Sequence, residues 1–162
     1  MKIYLGLGSN IGDRKANISE AISLMDRALG SHHEAVSQII ETAPEGFVSD
    51  NDFLNCVVRY DTPMVEESTD EDCERLLGQC KSVERMLGRP AEVAMYDKNG
   101  ARVYSDRTID IDILFYGNAT ICEPELIVPH PRIAHRDFVM IPLMEVADKA
   151  LLSSFPEIFE SK

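Results

Sequence analysis

The segment Arg107-Thr108-Ile109-Asp110-Ile111-Asp112-Ile113-Leu114-Phe115 alternates apolar and acidic residues so strictly that an extended strand is the only regular element it suits. Alternate residues of a strand share a face. Ile109, Ile111, Ile113 and Phe115 therefore point one way, and Asp110 and Asp112 the other. Two carboxylates side by side on one face repel each other. A divalent cation removes that cost, and Mg²⁺ favours one or two carboxylates together with phosphate oxygens. A solvated sheet face with a basic partner would carry the same pair, and Asp-x-Asp alone does not separate the two readings.

Residues 1–8 read as a buried strand ending at a Gly-Ser-Asn turn, and a helix from about Asp13 follows from the spacing of Ile18, Ile22, Met25 and Leu29. Gly30 is its natural stop. Residues 35–42 form a weaker strand candidate. Residues 53–60 form a clear one, with Leu54, Cys56, Val58 and Tyr60 on one face. Ser68 and Glu71 have capping-box spacing, and Leu76, Cys80, Val83 and Leu87 carry a second helix to Gly88. Asp70, Glu71, Asp72 and Glu74 read as its solvated start, favoured by the helix dipole. Residues 89–105 lack any period and read as a long loop with a small hairpin at Lys98-Asn99-Gly100; loops of that length are usually functional or disordered. A strand over 108–116, a turn over 129–133 and a helix over 137–147 complete the order. That order implies an α+β layered sheet with helices packed on it, in one domain over residues 1–162.

Sixteen Lys and Arg against 28 Asp and Glu give a net charge of −12. Such a field repels nucleic acid and anionic membrane, so neither is an expected partner. The four cysteines (Cys56, Cys73, Cys80, Cys122) show no metal-site spacing and read as reduced thiols of a cytoplasmic chain. The apolar stretch at Ile3 is too short for a signal-peptide core, and no run reaches membrane-spanning length.

In so acidic a chain, positive groups bunch around the Asp-x-Asp strand: Arg102 and Arg107 before it, His130, Arg132, His135 and Arg136 after it. Guanidinium groups clamp phosphates, although some of these serve equally to pair the chain's own carboxylates. Phe53 and Asn55 share a strand face, offering a ring to stack on a flat heterocycle and a carboxamide to read its edge. The glycines from Gly6 to Gly12 do not have phosphate-loop spacing; Gly8 instead permits close backbone approach.

These stretches in this order resemble the 6-hydroxymethyl-7,8-dihydropterin pyrophosphokinase family. The matching segments are Leu7-Gly8-Ser9-Asn10, Asp52-Phe53-Leu54-Asn55, Glu84 with Gly88-Arg89, Arg107 to Ile113, and Val128-Pro129-His130 through Arg136-x-Phe138-Val139-x-x-Pro142-Leu143. The resemblance implies a ferredoxin-like layered sandwich, its central, mainly antiparallel sheet carrying helices on both faces. It implies transfer of pyrophosphate from ATP to the pterin hydroxymethyl oxygen with release of AMP, a step of folate biosynthesis, by a monomer acting on small molecules. By the same resemblance Asp110 and Asp112 hold two Mg²⁺ ions. Arg107, His130 and Arg136 take the triphosphate, Glu84 and the Ile113 backbone the nucleoside, and Arg102 is the loop's phosphate ligand, with Lys98 its rival. Phe53 and Phe138 sandwich the pterin, the Thr42 backbone and Asn55 read its edge, Gly8 is a further substrate-binding position, and Tyr104 stands for a lid aromatic. Three departures stand out: Ala43-Pro44-Glu45 where the family often has Pro-Pro-Leu, Ser105-Asp106 where it has Gly-Pro, and Lys81 where a polar uncharged residue is common. A nucleotidyltransferase would set its Gly-Ser close to the Asp-x-Asp, but here most of the chain separates Ser9 from Asp110. A binding module that had lost transfer would not need both carboxylates and the preceding arginine.

Overall fold

The computed structural model describes residues 1–45, 48–63, 69–88, 99 and 106–160. Strand β1 (Lys2–Ser9) lies between β4 (Phe53–Asp61) and β5 (Asp110–Tyr116), antiparallel to both, and β2 (Ala35–Val36) and β3 (Ile40–Thr42) pair with the outer edge of β4.

Alternation divides the sheet's side chains between two cores. On one face Ile3, Leu5 and Leu7 join Leu54, Cys56, Val58 and Tyr60, with Ile109, Ile111 and Ile113. Ile18, Ala21 and Met25 of α1 (Arg14–Leu29) and Cys73, Leu76, Cys80 and Val83 of α2 (Thr69–Met86) cover that face. On the other face Tyr4, Val57, Leu114 and Phe115 pack against Met140, Leu143 and Val146 of α3 (Asp137–Val146), Leu151 of α4 (Lys149–Ser154) and Phe155, which precedes α5 (Pro156–Phe159). Each large apolar side chain so buried is worth about 1.5–3 kcal/mol, so the sheet is held from both sides.

α1 starts where Asp13 accepts the Ala16 N–H and stops at Gly30, whose φ of 62° only glycine adopts freely. α2 ends before Gly88, also at positive φ. The expected helix starts and stops stand, except that Ser68 of the capping box, and Lys98 and Gly100 of the expected hairpin, fall outside the described residues. Cys56, Cys73 and Cys80 are buried and Cys122 exposed, all as free thiols. Asp72 departs from the solvated reading of its cluster: it is buried and accepts a hydrogen bond from Arg75 at 3.1 Å. Among the described residues no helix is long and apolar enough to cross a membrane.

Three elements differ from the sequence reading. Phe115 does not share a face with Ile109, Ile111 and Ile113. The β1–β5 register shifts between Tyr4 and Leu5, so Leu114 is an extra residue and Phe115 turns to the opposite core. The single strand over 35–42 is two short ones, because at Ser37 the side-chain hydroxyl, not a ladder carbonyl, accepts the Val57 N–H at 2.9 Å. Finally, β6 (Ile121–Glu123) and β7 (Leu126–Val128) form an unanticipated hairpin; the 129–133 turn leads into a 3₁₀ turn over Ile133–His135, and α4 and α5 lie past the last expected helix.

Candidate active site

Gly6 and Gly8 fall on the α3-side face of β1, where larger side chains would fill the space. Gly6 stands opposite Asp112 on one neighbour and Val57 on the other; Gly8 stands opposite Asp110 and Asn55. A Cβ at Gly8 would lie 3.1 Å from Asn55 Oδ1 and 3.5 Å from the Phe53 ring. The two glycines thus make a floor without side chains of its own, Gly6 covered by the Leu114 side chain, which would lie 3.4 Å from a Cβ there, and Gly8 open between the carboxylates on one side and Phe53 and Asn55 on the other. Above it opens a cavity of about 430 Å³.

Every expected site residue among the described ones lines this cavity: Gly8, Thr42, Phe53, Asn55, Glu84, Arg107, Asp110, Asp112, Ile113, His130, Arg136 and Phe138. Arg102 and Tyr104 lie outside the described residues. Of the other basic groups singled out, Lys81 and Arg132 line the cavity.

The elements fix these groups in distinct ways. Asn10 holds Arg107 at the entry to β5: its Oδ1 accepts the Arg107 N–H at 2.7 Å, and its own N–H donates to the Arg107 carbonyl at 3.1 Å. Asp106 accepts hydrogen bonds from Ser49 (2.6 Å), Asn10 (2.8 Å) and Asn51 (3.0 Å), which hold its carboxyl below the usual range. The negative charge next to Arg107 is therefore spent on the loop before β4, and the Arg107 guanidinium reaches Asp110 at 3.5 Å instead. The bulge at Leu114 frees a carbonyl that accepts the His130 N–H at 3.0 Å. His130 Nδ1 accepts the Arg132 N–H at 3.3 Å, so the neutral ring carries its proton on Nε2. Burial and the Arg136 charge lower this imidazole to about 4, so it is neutral at pH 7.

Asn55 donates to Thr42 Oγ1 at 2.7 Å, leaving its carbonyl oxygen turned toward Gly8. Arg107 lies 5.8 Å from the Phe53 ring centroid and Arg136 lies 5.4 Å from that of Phe138, so each ring is backed by a guanidinium. Arg136 Nε also approaches Glu45 Oε1 at 3.3 Å. On the outer edge of β5, Glu84 accepts the Ile111 N–H at 2.9 Å. With a period of two, the backbone groups of Ile113 face that same edge.

Asp112 carries the strongest electrostatic strain here: burial first, then the Asp110 charge, push its carboxyl well above the usual range. An oxygen-only pair of carboxylates under mutual repulsion is a donor set that fits a hard divalent cation, and Asp110 and Asp112 are the residues that could hold one. The sequence reading missed Gly6 and the β6–β7 hairpin, whose Pro124 to Ile127 close one wall. Gly6 was legible, being two residues from Gly8 and so on its face. Glu45 was noted only as a departure.

A family model described as 7,8-dihydro-6-hydroxymethylpterin-pyrophosphokinase (HPPK) matches residues 4–148. A 2-amino-4-hydroxy-6-hydroxymethyldihydropteridine pyrophosphokinase of Porphyromonas gingivalis is 38% identical over 146 residues, which cover 90% of each chain. One of the same description from Bacillus subtilis is 35% identical over 90% of this chain and 78% of its own length. The mitochondrial folate synthesis bifunctional protein of Pisum sativum is 39% identical over 93% of this chain, which spans only 26% of that longer protein. A crystal structure of an HPPK-DHPS in complex with substrates superposes with a TM-score of 0.60 over 99% of this chain and 43% of that one, at 14% identity, a likeness of fold. With the family model matched over most of its length and relatives above 30% identity aligned nearly end to end, this chain belongs to the 7,8-dihydro-6-hydroxymethylpterin-pyrophosphokinase family.

Proposed function

We propose that the chain transfers the pyrophosphoryl group of ATP to the hydroxymethyl oxygen of 6-hydroxymethyl-7,8-dihydropterin, yielding AMP and the pterin diphosphate, as a catalytic unit over residues 1–162. The observation that carries this reading is one arrangement: Asp110 and Asp112 beside the glycine floor, with two arginines each backed by an aromatic ring. A pocket for a flat ring then adjoins a pocket for phosphates, which is what attack by a pterin side-chain hydroxyl on a nucleotide phosphorus needs.

In this reading Phe53 and Phe138 hold the pterin between their rings, and Asn55 and Thr42 read its polar edge above Gly8. Arg107 and Arg136 pair with triphosphate oxygens, and neutral His130 donates from Nε2. Arg102 adds a phosphate contact and Tyr104 a covering ring. Glu84 and the Ile113 edge take the nucleoside. Asp110 and Asp112 hold two Mg²⁺ ions, which when bound neutralise charge on the transferred group and favour in-line displacement. Phosphoryl-type transfer rests on positioning and electrostatics more than on covalent chemistry, and these residues supply both. The layering is ferredoxin-like and the enzyme a cytoplasmic monomer. The test is the nucleotide product formed from ATP, Mg²⁺ and hydroxymethyldihydropterin. AMP appearing only with pterin supports the reading. Pyrophosphate release with nucleotide attachment, or pterin binding without turnover, overturns it.

A further inference from the structure

Outside the cavity, one cluster among the described residues is built from ligating groups. Asp26 sits in the last turn of α1, and the Gly30 turn, closed by the Ser31 N–H on the Asp26 carbonyl at 3.1 Å, folds the chain back on it. His33 Nδ1 then lies 3.0 Å from Asp26 Oδ2, and His32 Nε2 lies 4.0 Å from the same oxygen. One ligand atom from each residue falls within 4.8 Å of the other two.

We propose that Asp26, His32 and His33 form a binding site for a transition-metal dication of the Zn²⁺ class, separate from the catalytic pair. Two further contacts favour ligation over a plain Asp–His pair. His32 Nδ1 lies 2.8 Å from the His33 carbonyl, which can only accept, so the proton is on Nδ1 and the lone pair on Nε2, the atom facing Asp26. The fully buried Tyr60 donates its hydroxyl to Asp26 Oδ1 at 2.6 Å, leaving Oδ2 for the metal. A backbone carbonyl on the far ring nitrogen and a donor on the far carboxylate oxygen are the supports that ligating His and Asp residues ordinarily have. Four-coordinate zinc with bonds near 2.1 Å sets its ligand atoms about 3.4 Å apart; the 3.0 and 4.0 Å from Asp26 Oδ2 to the two imidazoles bracket that span, and the two rings, stacked with centroids 4.0 Å apart, turn toward the shared ion on binding. On metal binding the His33 ring carries its proton on Nε2, which leaves the Nδ1 lone pair to the metal. Two imidazoles select against Mg²⁺, so the site does not compete for the catalytic ion. With the His32 side chain 80% exposed, the fourth position opens to water. Tyr60 stands five residues along β4 from Asn55, about 17 Å at the strand rise, which keeps the two sites apart.

The test is equilibrium dialysis of the whole protein against Zn²⁺ with excess Mg²⁺ present, joined to thermal unfolding with and without Zn²⁺. We expect one Zn²⁺ retained per chain and a rise in Tm with Zn²⁺. His32→Ala, an exposed change the fold tolerates, and His33→Ala should each weaken binding tenfold or more and abolish the Tm rise. Tyr60→Phe, which removes the hydroxyl that supports Asp26 at 2.6 Å and lies 3.5 Å from the Ile22 carbonyl, should weaken binding by a smaller factor. Absence of Mg²⁺-resistant Zn²⁺ binding, or binding unchanged in both histidine variants, overturns the proposal.

Discussion

Replacing Gly8 with alanine separates the stability of the sheet from the function of its floor. The backbone there has no positive φ, so alanine meets no conformational obstacle, and Gly→Ala inside a strand adds about 0.5–1 kcal/mol of stability. The new methyl, however, points into the cavity at 3.1 Å from Asn55 Oδ1. The carboxamide must give by a few tenths of an ångström, against a 2.7 Å bond to Thr42 that holds it from the other side. Misplacing one buried polar partner costs about 1–3 kcal/mol, hence roughly a 5- to 150-fold rise in Kd for the pterin. ATP, whose proposed contacts lie toward Asp110, Arg107 and Arg136, should bind within about threefold of wild type. Calorimetric titration of each substrate, with thermal unfolding alongside, reads all three quantities. Gly8→Ala that unfolds many degrees early, or that weakens ATP as much as pterin, would refute the assignment of this floor to the heterocycle.

Glu45 neutralises Arg136 at the cavity wall. Glu45→Gln should tighten ATP binding up to about fivefold, the range of a half-exposed ion pair, and raise the salt sensitivity of that binding; weaker binding would count against a phosphate role for Arg136. His130 is held near 4 against an ordinary 6.5, so it binds its proton more weakly folded than unfolded. Its contribution is complete above about 6.5 and is lost as pH falls toward 4, so His130→Gln should remove about 2 kcal/mol of the stability loss between pH 7 and pH 5; denaturant melts at the two pH values check it, and an unchanged difference contradicts it. Asp106→Ala frees Asn10, Ser49 and Asn51 together and should lower kcat/KM roughly tenfold or more by loosening Arg107, whereas Asp106→Asn, which keeps an acceptor, should retain most activity. Equal losses in the two variants would make the charge, not the positioning, decisive.

What could be read in advance follows how local the signal is. The Ile109–Ile113 alternation and the Phe53/Asn55 pairing are set by a period of two within one strand, and both hold in the structure. The turn of Phe115 to the other core could not be read, because Ile113, Leu114, Phe115 and Tyr116 are all apolar and leave no polar residue to mark the slip. Yet that bulge decides the site, since the Leu114 carbonyl it releases anchors His130. The break at Ser37 depends on a side-chain hydroxyl meeting Val57 across the sheet, and the Glu45–Arg136 contact joins a loop to the start of α3; neither leaves a trace in nearby sequence. The β6–β7 hairpin was legible, with Ile121, Leu126 and Val128 alternating around a Pro124-Glu125 turn, and shortness alone hid it.

The joint grip of Asp110 and Asp112 on the magnesium-loaded nucleotide is the proposed contact on which transfer depends. It is tested most directly by the rate of AMP formation at saturating ATP, Mg²⁺ and pterin in Asp110→Ala and Asp112→Ala, with pterin binding measured in the same preparations. Loss of several kcal/mol of transition-state stabilisation corresponds to a fall of roughly a thousandfold or more in each, while the pterin still binds between Phe53 and Phe138. Turnover near the wild-type rate in both variants would contradict the account.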